Sequence, residues 1–318
     1  MNDEKQQGQG VIDRSTPASD LILRGVIVVG WIIALMALLV LGIRVLERFD
    51  PSWDTLAYHL PFAAMRAGID ISFEMSDHLL DLFDGAPPLP ELLQGLAWRV
   101  TDSVSATGMA SFVVFALFAI WTGLVLRSSF WLVVLISLSA PLVLIHATAS
   151  YVDLITGAFF AIGVATAIYL WLFPERATRA ILVGGLLGLA GAFWSKYTVA
   201  PFAGVVLLLY IPIGIDCAKR VGWTRRSTLA IIVVIGFLAA VPYLRNLIEF
   251  GNPFWPFRAP LLGDLLPYVF TNEHASRPPS LAQASPMEAF IRSLFEIDLP
   301  WEYELRRRWT IDSGGSVG

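Results

Sequence analysis

Asp54, Tyr58 and His59 stand within about a turn and a half of helix in FDPSWDTLAYHLP, residues 49–61. A carboxylate beside a phenol and an imidazole suits general acid–base work on a hydroxyl group. The stretch follows directly on an apolar run long enough to cross a bilayer, so this chemistry is expected at a membrane surface. Asp50-Pro51 opens it, an acid followed by proline, which is a helix-start signal. Asp50 is therefore expected to cap the helix, while Asp54 either complements the helix dipole in the first turn or serves as a base. Asp153, preceded by Tyr151 in SYVDLITG, is either a second helix cap or a second carboxylate of the same site. Lys196, in SKYT, interrupts apolar sequence; it either snorkels or offers a point charge to a phosphate. Arg245, in PYLRNLIEFGNPFWPF, either anchors among headgroups or grips a phosphate with two N–H groups. Asp54, His59, Asp77 and His78 are residue types that bind divalent metals, but they lack HExxH or comparable spacing. No cofactor is expected, with a divalent metal as the lesser alternative.

These residues must be positioned by membrane helices. Of 318 residues, 56% are hydrophobic and 15% are charged, well below the roughly 25% charged residues of soluble domains. The expected fold is all-α, a polytopic membrane protein of about seven transmembrane helices. The apolar runs lie at 25–43, 106–126, 130–147, 154–173, 180–194, 199–215 and 229–248. The fifth is short and rich in glycine (GGLLGLAGA), which suits close helix packing. Between the first two runs lies a first external loop, 49–105, too polar to span. In it, 75–83 and 90–100 read as amphipathic helices lying along the membrane surface. Residues 1–20 read as a disordered cytoplasmic tail, 21–250 as the membrane module, and 251–318 as an external segment rich in proline and aromatics, expected to be truncated.

Orientation follows from basic loops. Arg127, then Arg176 and Arg179, then Lys219, Arg220, Arg225 and Arg226 fall on one side, which the positive-inside rule assigns to the cytoplasm. Asp50, Asp54, Tyr151, Asp153, Lys196 and Arg245 then share the opposite, external face. Ionisable groups at membrane depth cost ~2.5–3.5 kcal/mol on insertion scales and mark functional sites by default. A nucleic-acid partner is excluded, since no basic stripe with interleaved aromatics is present. The single cysteine, Cys217, excludes an intrachain disulfide.

WDTLAYHLP after the first run, YVDL at the fourth, SKYT after the fifth and RN…GNPFWPF after the seventh resemble the C-type glycosyltransferases of bacteria. The group most similar is that of the protein mannosyltransferases and lipid A aminoarabinose transferases. The resemblance covers roughly residues 21–257 and implies an integral protein of the bacterial inner membrane, active at its external, periplasmic face. It implies a polyprenyl-phosphate-linked sugar as donor and a lipid, glycan or protein as acceptor, with membrane lipids around the spans. Asp54 takes the place of the family's presumed catalytic base, with Thr55 where the family has a second acid. Asp153 matches the family's second-loop acid and is expected to be catalytic, and Lys196 matches the lysine that follows the fifth run. A leaving phosphate needs fixed positive charge, which Lys196 and Arg245 are expected to supply; Asp50, Tyr58, His59 and Tyr151 are expected to support the site. Displacement assisted by one base inverts the anomeric centre. Two rivals make different demands. A transporter or lipid flippase requires charges within the spans and internal repeats. A non-catalytic membrane assembly subunit lets these side chains diverge in space.

Overall fold

The computed structural model describes residues 17–52, 54–71, 75–258, 264–270 and 285. Most of the expected tail 1–20, and most of 251–318 beyond residue 258, lie outside the described residues. Eleven α-helices and no strand occur among the described residues. The chain divides into two units, Met1–Pro256 and Phe257–Gly318.

Five helices are long and apolar enough to cross a membrane, and the chain is an integral membrane protein. They are α1 (Pro17–Glu47), α5 (Gly108–Ile120, extended by flanking turns over Val104–Val125), α8 (Asp153–Leu172), α10 (Ala200–Arg220) and α11 (Arg225–Phe250). The two remaining apolar runs form shorter helices. The run at 130–147 breaks into α6 (Phe130–Ser139) and α7 (Pro141–His146). Pro141 holds the preceding Ala140 in an extended conformation, which ends one helix and begins the next. The glycine-rich run forms α9 (Arg179–Phe193), 15 residues long, or roughly 22 Å. Its glycines serve close packing as expected: a Cβ on Gly188 would lie 2.7 Å from Ile162 and 3.0 Å from the backbone of Gly163 on α8.

The first loop folds into a turn of wide, π-type helix at Thr55–His59 leading into α2 (Leu60–Ala67), then α3 (Asp77–Gly85) and α4 (Leu89–Thr101). Gly68, in the left-handed region at φ 67°, closes α2. The two stretches expected to be helical, 75–83 and 90–100, are thus helices, α3 and α4. The start expected at Asp50-Pro51 is corrected: residues 50–52 are not helical, and the first helical residue of this stretch among the described residues is Asp54. Asp50 instead closes a local turn on the Ser52 amide, so it does not cap the helix.

The basic loops converge at one end of the bundle. Arg179 donates to the carbonyl of Val221 at 3.5 Å, joining the loop after α8 to the loop after α10. Near them Leu126, Leu170, Leu182, Cys217 and Ala218 form a buried apolar cluster. In the second unit, Phe257 and Phe270 form a single parallel bridge, and Arg258 pairs with Asp264 at 3.2 Å.

Candidate functional site at the loop end of the helices

Backbone and side-chain links draw the opposite helix ends together. The Ser150 amide donates to Asp50 Oδ2 at 3.2 Å, tying the exit of α1 to the turn before α8. The Leu89 amide donates to the Trp194 carbonyl at 3.0 Å, tying α4 to the end of α9 by main chain alone. The Asn246 side chain donates to the Gly85 carbonyl at 2.8 Å, tying the end of α3 to the end of α11. Lys196 Nζ lies 2.6 Å from Asp153 Oδ1, which joins the end of α9 to the start of α8.

Within this frame, Asp54, Tyr151 and Asp153 all stand near enough to Tyr58 to act on it electrostatically. Burial pushes the Tyr58 phenol well above its usual value. The nearby charge of Asp54, then Tyr151, Asp153 and Glu91, adds to that shift. Tyr58 therefore stays a neutral O–H donor in the neighbourhood of carboxylates. Asp54 is half-buried, and its side chain makes no hydrogen bond or ion pair among the described residues. His59 is buried, with Nδ1 3.2 Å from Glu91 Oε1. Rings line this part of the site: Tyr58 against His59 at 4.3 Å, His59 edge-on to Tyr151 at 6.0 Å, and His146 stacked on Tyr151 at 4.8 Å.

The two cations expected to bind phosphate differ from one another. Lys196 is engaged by Asp153, and both side chains remain partly open to solvent. Arg245 donates through Nε and Nη2 to the Asn246 side-chain oxygen, at 3.3 and 2.9 Å, and faces Glu249 at 3.6 Å. Asn246 also donates to the Tyr197 hydroxyl at 3.0 Å, which brings the segment after Lys196 beside Arg245.

Sequence reasoning missed Glu91, Gln94 and Arg66. Glu91 and Gln94 share the buried face of α4, whereas Leu96 and Val100 are exposed. Gln94 donates to the Ser150 carbonyl at 2.7 Å. Arg66, on α2, donates to the carbonyls of Phe83 and Ala86 and lies over the Phe83 ring. Burial pulls its guanidinium below the usual value; Glu91 opposes that shift, and the like charge of Arg245 adds to it. Arg66 and Arg245 are therefore electrostatic neighbours, and the charge of Glu91 is felt by both Arg66 and Tyr58. The available signal was a glutamate and a glutamine spaced to share one side of a helix whose other side is apolar.

Among the described residues, no three His, Cys, Asp or Glu side chains converge as a metal-ligand set, so Asp54, His59, Asp77 and His78 do not form one. Asp77 and His78 are exposed at the start of α3. No protein-family profile, curated protein or solved structure matches this chain.

Proposed function

We propose that this chain is a membrane glycosyltransferase that moves a sugar from a polyprenyl-phosphate donor to a hydroxyl of a lipid, glycan or protein acceptor. The hydrogen-bonded links that bring the segments of Asp54, Asp153 and Lys196, and those of Arg66 and Arg245, to one end of the apolar helices carry this reading. In it, the shorter helices α6 and α9 complete a seven-pass module, and the site opens to the external face of a bacterial inner membrane. A donor with a lipid tail needs its reacting carbon at such a boundary, with the tail among the spans.

Asp54 takes the proton of the acceptor hydroxyl as its oxygen attacks the anomeric carbon. The bond from that carbon to the phosphate oxygen breaks, and its electron pair leaves with polyprenyl phosphate. Attack opposite the leaving group inverts the anomeric centre. Arg245 and Arg66 supply positive potential where negative charge grows on the phosphate. Asp153 supports the oxocarbenium-like sugar, while Lys196 holds its carboxylate in place and neutralises part of its charge. The neutral Tyr58 phenol donates a hydrogen bond to a sugar or phosphate oxygen.

The test is to incubate the purified full chain in vesicles with a panel of polyprenyl-phosphate-linked hexoses and pentoses, together with lipid and peptide acceptors. Mass spectrometry then follows donor and product. Consumption of one donor, with release of polyprenyl phosphate and an inverted glycoside, is expected. Failure to consume any donor in the panel would contradict the proposal.

A further inference from the structure

The segment carrying Asp54 and the turn carrying Asp153 are distant in sequence, and one carboxylate joins them directly. Asp50 Oδ1 accepts from the Ser52 amide at 3.1 Å. Its Oδ2 accepts from the Thr55 hydroxyl at 2.7 Å and from the Ser150 amide at 3.2 Å. Ser52 Oγ lies 2.8 Å from Thr55 Oγ1 and 3.1 Å from Asp50 Oδ2, so its proton strengthens the same knot. Thr55 is fully buried and Ser150 nearly so, while Asp50 is half-buried, so a partner lost at Thr55 or Ser150 is costly to replace. From the other side, Ser150 is fixed by Gln94 on its carbonyl and by Thr107, whose hydroxyl lies 2.7 Å from Ser150 Oγ. A second contact between the two segments, the ring edge of His59 against Tyr151, is looser.

We infer that Asp50 is a positioning residue, which sets the separation of Asp54 and Asp153 by holding Thr55 and the Ser150 amide on one oxygen. Asp54 directly precedes Thr55, and Asp153 follows Ser150 within one turn of chain. Any slackening at Asp50 is passed to both carboxylates. An asparagine at 50 has one acceptor oxygen, so its NH2 group must face either Ser52 or the Thr55–Ser150 pair. Misplacing a reacting group by about an ångström costs on the order of a hundredfold in rate. The catalytic part of this inference rests on the transferase reading; the geometric part does not.

The experiment compares the full chain with Asp50→Asn, Thr55→Val and Thr55→Ser, measuring amide hydrogen exchange at Ser150 and transfer kinetics. Asp50→Asn should speed exchange at Ser150 roughly tenfold while leaving the middle of α8 unchanged. It should also lower kcat by roughly tenfold to a hundredfold, with KM for the donor within about twofold. Thr55→Val should act in the same direction, and Thr55→Ser should restore both values, which separates positioning from a general loss of fold. Unchanged exchange at Ser150 in Asp50→Asn would overturn the inference. So would faster exchange with an unaltered kcat. A wild-type chain without transfer activity would remove the transferase reading, and the exchange result would still decide whether Asp50 holds the two segments together.

Discussion

At the scale of single residues, the two carboxylate contacts of the site behave differently because one is buried and one is not. Glu91 and His59 are both shielded from water, so removing the carboxylate strands a buried ring nitrogen. Glu91→Ala is expected to cost about 1.5–3 kcal/mol, and Glu91→Gln less, because the amide oxygen still accepts. Thermal unfolding in detergent measures both, and equal melting temperatures for wild type and Glu91→Ala would contradict the pairing. Lys196 and Asp153 are partly exposed, so their contact contributes little to stability, about 0.2–1 kcal/mol. Its importance is functional. Lys196→Met and Asp153→Asn should each lower transfer strongly, and the double variant should be no slower than the worse single one. Rate losses that multiply would show that the two side chains act separately.

At the scale of elements, the attachment of α3 to the end of α11 depends on a glycine. The Gly85 carbonyl receives the Asn246 amide and lies against the Tyr197 hydroxyl, and a Cβ on Gly85 would stand 2.2 Å from the Trp255 carbonyl oxygen. Gly85→Ala must push the two backbones apart. We expect a loss of about 1–3 kcal/mol and faster proteolysis between α2 and α4. Wild-type stability and protease resistance would contradict that contact.

Much at this scale was legible in the sequence. Apolar runs marked the long helices, proline and amphipathic spacing marked α3 and α4, and the basic loops marked one end. The inward turn of Glu91 and Gln94 was not legible, because an amphipathic period does not say which side faces lipid. In α4 the apolar side chains of Leu96 and Val100 are exposed, and the polar ones of Glu91 and Gln94 are buried. Asp50 was misread for a related reason. Its local signature is that of a helix cap, whereas its decisive partner, Ser150, is set by tertiary packing. Pro141 was visible in the sequence, but the length of the apolar run hid the break it makes.

At the scale of the molecule, orientation in the membrane follows from charge. We propose that the basic loops face the cytoplasm, which puts α2 to α4 and the site outside. Cys217 is the single cysteine, so Cys217→Ala gives a background for labelling. On it, Asp70→Cys should react with a membrane-impermeant maleimide in intact cells, and Arg226→Cys only after permeabilisation; both positions are exposed. The reverse pattern would place the site on the cytoplasmic side.

On the transferase reading proposed above, Asp54 is the base at this surface. The most direct test is the single-turnover rate of sugar transfer from a polyprenyl-phosphate donor by wild type and by Asp54→Asn, with donor binding measured alongside. A fall of about a hundredfold to ten-thousandfold in rate is expected for Asp54→Asn, with donor affinity retained. A variant that transfers sugar at the wild-type rate would contradict it.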